Sequence, residues 1–398
     1  MAIAQRSLIL FILALINFTH IVDSMLIMPL GDIFIEMYQI NAREYSYLVS
    51  SYALAAFFSS LVGVFFLDRF DRKKALLFIY LGFAVGTFMC AFAQSYIMLL
   101  MLRFLTGLFG GMIGALVLSI VSDLYPFKER GSAMGILFAA FSAASALGVP
   151  IGIYLAAKGN WQLPFLLLGG AGLVIGVILF SIVPKMTDHF AFLDSKPTFS
   201  RTVEAITTDS NQVQALLSGF VLVLAHFMII PFISPYMIKN VGLSQMEISY
   251  QFFLGGCATI ISAPLIGKLT DRYGVMKVFI VVMLISFIPT LMITSMPEEP
   301  LYYALIWTTM FFVFASGRMI SPNALITAAA PTSNRGSFMS IKSALQQLAI
   351  FFASFISGLI VVIQEGQYEN YLYVGFISIF FGLLAIWMVS KIKVAAGN

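Results

Sequence analysis

Charge is what this 398-residue sequence has least of. Asp, Glu, Lys and Arg make up 10% of it, against 60% hydrophobic residues and a mean hydropathy of +0.97. Soluble domains carry roughly 25% charged residues, so this chain has too few polar groups to cover a water-facing surface. A large soluble core is excluded. Cysteine is nearly absent, and Cys90 and Cys257 both fall in apolar stretches. That excludes a disulfide framework and gives no metal-ligand spacing. There is no glycine-rich phosphate loop, so nucleotide hydrolysis is not the energy source. The net charge of +4 comes with no basic patch beside aromatics, so no nucleic acid is expected. No cofactor or metal is expected either.

What the sequence does have is long apolar runs. They fall near 7–29, 45–67, 75–93, 97–120, 131–157, 162–183, 213–238, 247–269, 276–295, 301–323, 336–363 and 371–390. Each suits a bilayer core about 30 Å thick, which takes roughly 20 helical residues to cross. In lipid the backbone must satisfy its own hydrogen bonds, so helix is the form expected for all twelve. The first run is too long for a signal-peptide core and lacks a small-residue cleavage site, so it is read as the first membrane helix.

Lys and Arg set the orientation, because cytoplasmic loops retain them. With the N-terminus inside, sixteen of the 22 basic residues face the cytoplasm and only Arg43, Lys158 and Lys239 face away. Arg103, Arg318 and Lys342 lie within spans. Both termini are therefore expected in the cytoplasm of a multi-pass membrane protein, and the compact loops suggest a bacterial inner membrane. The longest polar stretch sits near the middle, dividing the chain into 1–184, a linker at 185–212, and 213–398. Phe199, Val203 and Ile206 in that linker fit either a short amphipathic helix at the membrane interface or a disordered tether.

The halves echo each other. Gly63-Val-Phe-Phe-Leu-Asp68-Arg69-Phe-Asp71-Arg72-Lys73 stands between spans two and three, and Gly267-Lys-Leu-Thr-Asp271-Arg272-Tyr-Gly274-Val-Met-Lys277 between spans eight and nine. His20 precedes Pro29 by nine residues, and His226 precedes Pro235 by nine. Internal duplication of this kind is common in secondary transporters.

The second copy resembles in full the G-x-x-x-D-R-x-G-x-x-K loop motif of the major facilitator superfamily. The first departs from it, with Gly63 one position early, Val64 at the glycine site and Asp71 at the turn glycine. Arg103-Phe-Leu-Thr-Gly107-Leu-Phe-Gly110-Gly111 resembles the family's intramembrane Arg-glycine motif. Gly148-Val-Pro150-Ile-Gly152 is similar to the helix-five signature of its antiporter branches, and Gly317-Arg318-Met with Arg335-Gly336 resembles arabinose-efflux-type permeases.

The resemblance implies an all-α fold of twelve helices in two pseudo-symmetric six-helix bundles around a central cavity. It implies a carrier rather than an enzyme, working as a monomer on a small-molecule substrate, protons and the lipid bilayer. Export in exchange for protons is the first expectation. Uptake of organic anions by a symporter or facilitator is the alternative, and a membrane enzyme or sensor the remote one. In such a carrier Asp68, Arg69, Arg72, Gly267, Asp271, Arg272, Gly274 and Lys277 would form a cytoplasmic gate, an acid capping a neighbouring helix and pairing with Arg across the halves.

Charge inside a membrane is costly and marks functional sites. Asp23 is the one acid well inside a span, and Asn17, His20 and Asp23, three apart, are read as one polar stripe. Asp23 and Arg103 lie at matching depth on spans one and four, so they are expected to pair, with Asp23, His20 and Arg103 handling protons. Asn17, His226, Arg318, Lys342 and Gln346 are the expected cavity residues. Gly148, Pro150 and Gly152 are expected to kink helix five or to let it pack closely on helix eight.

Overall fold

The computed structural model describes residues 3–66, 69–125, 127–187, 190, 199–331 and 335–395. Among these described residues, twelve helices are long and apolar enough to cross a membrane. The chain forms α1 (Ile3–Leu26), α2 (Gly31–Tyr38), α3 (Ala42–Phe66), α4 (Arg72–Cys90), α5 (Tyr96–Leu124), α6 (Phe127–Ala143), α7 (Val149–Lys158) and α8 (Gln162–Ile182). The second half comprises α9 (Phe199–Thr208), α10 (Ser210–Phe227), α11 (Ile230–Lys239), α12 (Gln245–Tyr273), α13 (Val275–Thr294), α14 (Leu301–Ala328), α15 (Arg335–Ile360), a hairpin of β1 (Val362–Gln364) and β2 (Gln367–Glu369), and α16 (Tyr371–Val389). Spans five and seven are each built of two helices, α6 with α7 and α10 with α11.

Each bundle has its own core toward the end that carries the termini. Ile9, Leu13, Leu76, Phe83, Ile113 and Leu179 are among the buried residues of the first, and Leu216, Phe279, Ile326, Phe338 and Val389 of the second. Ile206 is buried in the second, so the linker residues around it are a helix docked on the C-terminal bundle rather than a tether. Residues 188–189 and 191–198 of the linker lie outside the described residues.

At the opposite, far end, one apolar cluster runs through both bundles, including Leu26, Phe34, Tyr45, Val149, Phe232, Phe252, Ala353 and Tyr371. It closes around two broken helices. The break between α1 and α2 and the break between α10 and α11 leave carbonyls that need donors, because lipid offers none. Gln245 Nε2 donates to the Pro29 carbonyl at 3.1 Å, and Ser357 Oγ to that of Met228 at 2.7 Å. Tyr371 Oη donates to the Ile229 carbonyl at 2.6 Å. Pro235 inside α11 has no N–H, which frees the Pro231 carbonyl one turn back. Tyr45 Oη from the other bundle shares its proton between that carbonyl, at 2.9 Å, and Met28's, at 3.0 Å.

Lys239 on α11 completes the join, paired with Glu36 and lying 3.6 Å from Asp32, both on α2. Tyr368 in β2 donates to Asp32 at 3.4 Å. Tyr45, Gln245, Tyr368 and Lys239 thus tie the two bundles together at this far end by hydrogen bonds and ion pairs.

Burial pushes the Asp32 carboxyl up to about 6, with Lys239 pulling it down and Glu36 adding a smaller push up. Separated and hydrated, Asp32 would return to roughly 3.9. The joined far end therefore holds the proton more tightly. Its Asp32 contribution is complete below about pH 4 and is lost as pH rises through about 6. Spin labels at exposed Met37 and Glu298, in a chain with Cys257 replaced, should show more separated far ends at pH 7 than at pH 4. Asp32→Asn should abolish that dependence.

Candidate functional site

In the N-terminal bundle the site is assembled by glycines. A Cβ on Gly107 would sit 2.9 Å from the Tyr52 Cα, and one on Gly111 2.7 Å from the Ala56 Cα. Only bare backbone lets α5 come this close to α3. That approach lays the Tyr52 ring against the Arg103 guanidinium, 4.7 Å from ring centroid to Cζ. Arg103 Nη1 then donates to Asp23 Oδ2 at 2.9 Å, and both side chains are fully buried. Thr87 Oγ1 on α4 donates to Asp23 Oδ1 at 3.0 Å. The pairing expected from matching depth is present.

Around this pair lie polar atoms with no partner in the structure. Both ring nitrogens of His20, the Tyr52 hydroxyl and Arg103 Nε are buried without a hydrogen bond. They meet at Gly110, where a Cβ would be 3.0 Å from Tyr52 Cζ and 3.4 Å from His20 Cδ2. The His20 ring stands edge-on to Phe83, with centroids 5.6 Å apart. Buried polar atoms are rarely left unsatisfied, so this corner is suited to a water or a migrating proton.

Asn17 does not belong to the corner. Its Nδ2 donates to the Leu137 carbonyl on α6 at 3.1 Å. Three residues turn a helix through about 300°, so each step of three drifts back by about 60°. Asn17 and Asp23 thus point about 120° apart, and the polar stripe is a spiral.

The C-terminal bundle places its cations differently. Arg318 on α14 is 1% exposed, and its Nη2 lies 3.2 Å from His226 Nδ1 on α10. Phe311 stacks parallel to His226 at 6.5 Å and lies 6.0 Å below the guanidinium. Lys342 on α15 is 6% exposed and donates to Asn323 Oδ1 at 2.6 Å. Gln346, one turn further along α15, is half-buried. No carboxylate pairs with Arg318 or Lys342 among the described residues. Sequence reasoning missed Tyr52, Thr87, Phe311, Asn323, Tyr45 and Asp32.

The contacts described for the gate motif lie inside single bundles. Asp71, rather than Asp68, caps the start of α4, accepting from Lys73 N and Met186 N, both at 3.0 Å. Asp68 lies outside the described residues. Arg72 pairs with Asp123 at 3.3 Å, inside its own bundle. Arg69, Asp271, Arg272 and Lys277 are exposed, with Arg272 over the Tyr273 ring at 5.3 Å. Gly267 is unhindered, whereas Gly274 ends α12 at φ +90°, where a side chain would be strained.

Helix five is interrupted by a π turn. Pro150 cannot donate, and residues Ala144–Gly148 widen into a π turn in which Val149 N reaches back to the Ala144 carbonyl. Gly148 and Gly152 do not face helix eight, however. They pack on Val22 and Leu26 of α1. The close approach of α12 is made at the π turn by Gly256, where a Cβ would meet the Ala146 Cα at 2.5 Å.

A family model described as the Major Facilitator Superfamily matches residues 13–209 and 215–396. This chain belongs to that superfamily. It is a multi-pass membrane transporter, and its two six-helix bundles around a central cavity are the superfamily's fold. The chain is 24% identical over 318 residues to the uncharacterized MFS-type transporter YceJ of Bacillus subtilis (strain 168), covering 77% of this chain and 80% of the relative. It is 23% identical to a probable sugar efflux transporter of Mannheimia succiniciproducens over 64% of this chain, which spans 61% of that relative. Its fold matches an inward open conformation of the xylose transporter XylE from E. coli with a TM-score of 0.76 at 16% identity, over 99% of this chain and 98% of the other. A superfamily member of this kind moves a small molecule and is not an enzyme.

Proposed function

We propose that this chain is a proton-coupled exporter, exchanging protons for a small organic molecule by alternating access in a bacterial inner membrane, with residues 1–184 and 213–398 as its moving halves. The single observation that carries the reading is the buried Asp23–Arg103 pair beside the unpartnered His20. A carboxylate in low dielectric is stable as the anion only with such a partner. The ion pair is thus the proton-free carrier. With the far end joined, the side that bears the termini is the one from which this state would load. The excess of basic residues puts that side in the cytoplasm.

In this cycle the carrier takes its cargo from the cytoplasm, the far end opens, and the cargo leaves. A proton then enters by way of His20 and neutralises Asp23, weakening its hold on Arg103. The empty carrier returns and releases the proton inside. The π turn of helix five with its antiporter-like residues, and the likeness to a probable sugar efflux transporter, support export. Arg318 and Lys342, which have no acid beside them, are the observation that favours organic-anion uptake instead.

Proteoliposomes holding a pH-sensitive dye, with the pH gradient imposed in either direction, test this. Candidate solutes should drive protons opposite to their own movement. Movement in the same direction would identify a symporter, and solute flux without protons a facilitator; either result overturns the exporter reading.

A further inference from the structure

The two bundles treat buried cations in opposite ways. Arg103 has Asp23 at 2.9 Å, but Arg318 has only His226 Nδ1, at 3.2 Å. Because the guanidinium can only donate, Nδ1 must be the acceptor, which makes His226 the neutral tautomer with its proton on Nε2. It therefore supplies no counter-charge. Lys342 likewise has only the neutral Asn323 amide, at 2.6 Å. The acids of the C-terminal bundle are Glu247, Asp271, Glu298, Glu299, Glu365 and Glu369, and all stand at helix ends, in loops or, for Glu369, at the end of β2.

An uncompensated buried charge is strongly destabilising, and here there are two, 1% and 6% exposed. Arg318 Nε is also buried without any partner. A fold that balances one such cation so closely and leaves two open has a use for the missing anion. We propose that the C-terminal bundle binds an organic carboxylate as the transported molecule, its anionic group between the Arg318 guanidinium and the His226 Nε2 proton, its apolar body against Phe311, and Lys342 further along the same path. Arg318 and Asn323, which holds Lys342, are five residues apart on α14, a rise of about 7.5 Å. That rise is the length of a small organic acid. Arg318 and Asn323 point about 140° apart around α14, and it is Lys342, reaching in from α15, that sets the second charge at the next depth. The proposal rests on the transporter reading and names the class of its cargo.

The test is thermal unfolding of the purified protein in an uncharged maltoside detergent at fixed pH. The probes are benzoate, octanoate and succinate, each beside its neutral amide. At least one carboxylate should raise the midpoint by about 3 °C or more at saturating concentration. Its amide should not, and Arg318→Met should erase the response. Should Arg318→Met fail to fold, Lys342→Met supplies the same comparison and should weaken the response at least tenfold in concentration. A wild-type protein stabilised by none of the carboxylates, or equally by the amides, overturns the inference. If that protein still exchanges another solute for protons in proteoliposomes, the exporter reading survives and only the cargo class falls.

Discussion

Replacing Arg103 with methionine is expected to cost about 3–5 kcal/mol of stability, because it strands the Asp23 carboxylate in a site with no other cation. Asp23→Asn should cost a similar amount by stranding Arg103. The double variant should recover most of both losses, since it removes two buried charges together and leaves an uncharged site of similar volume. Denaturant unfolding in mixed micelles, read as a double-mutant cycle, gives the coupling between them. Single losses that simply add would mean that the 2.9 Å contact is energetically idle. Function should separate from stability. The double variant is expected to fold and bind cargo but to move no protons with it, because Thr87 and His20 are left without an acid to serve. Proton movement at the wild-type rate in that variant would remove Asp23 from the mechanism.

Gly256→Val is expected to abolish transport while leaving each bundle folded. Its Cβ would lie 2.5 Å from the Ala146 Cα and 2.9 Å from both the Ala146 nitrogen and Cβ. Two of these are backbone atoms of the π turn, so the neighbour cannot rotate away. The contact lies between the bundles, so the added atoms act as a wedge and bias the protein against the far-end-joined state. The signatures are transport reduced by at least tenfold and a longer Met37–Glu298 spin-label distance at every pH. Gly114→Ala, at a position with nothing within 4 Å of a new Cβ, is the control and should transport normally. A normal rate in Gly256→Val would show that α12 and the π turn need not meet during the cycle.

Much of this architecture was legible in the sequence because the bilayer imposes one dominant rule. Twelve apolar runs could only be helices, and their limits fall within a few residues of those observed, the longest overruns being those of α5, α12 and α14 to Leu124, Tyr273 and Ala328. The Asp23–Arg103 pair was also legible, because depth in the membrane is readable as distance along a helix. Rotation about the helix axis was less so, which is why Asn17 was misplaced. The β hairpin was hidden because Val362 and Ile363 extend an apolar run, while its turn depends on Glu365 and Gly366 at φ 50° and 81°. Tyr52, Thr87 and Asn323 carry no signal of their own: a neutral polar residue in an apolar span could as well bond its own backbone, as Thr308 does with the Ala304 carbonyl at 2.8 Å. Asp32 looked like an ordinary loop acid, and only the tertiary fold sets it against Lys239 and Tyr368.

The Pro231 carbonyl has a further consequence. Pro235 denies it an intrahelical donor, and Tyr45 fills the gap only while the two bundles touch there. Once they part, that oxygen must be hydrated, since hydrocarbon offers it nothing, whereas the Met28 oxygen keeps the Gly31 N–H at 3.2 Å. Prying the far end open without wetting it would leave the Pro231 carbonyl bare. The proline thereby ties exposure to the outside to the arrival of solvent, and a passage that admits water there also admits the proton that Asp23 awaits.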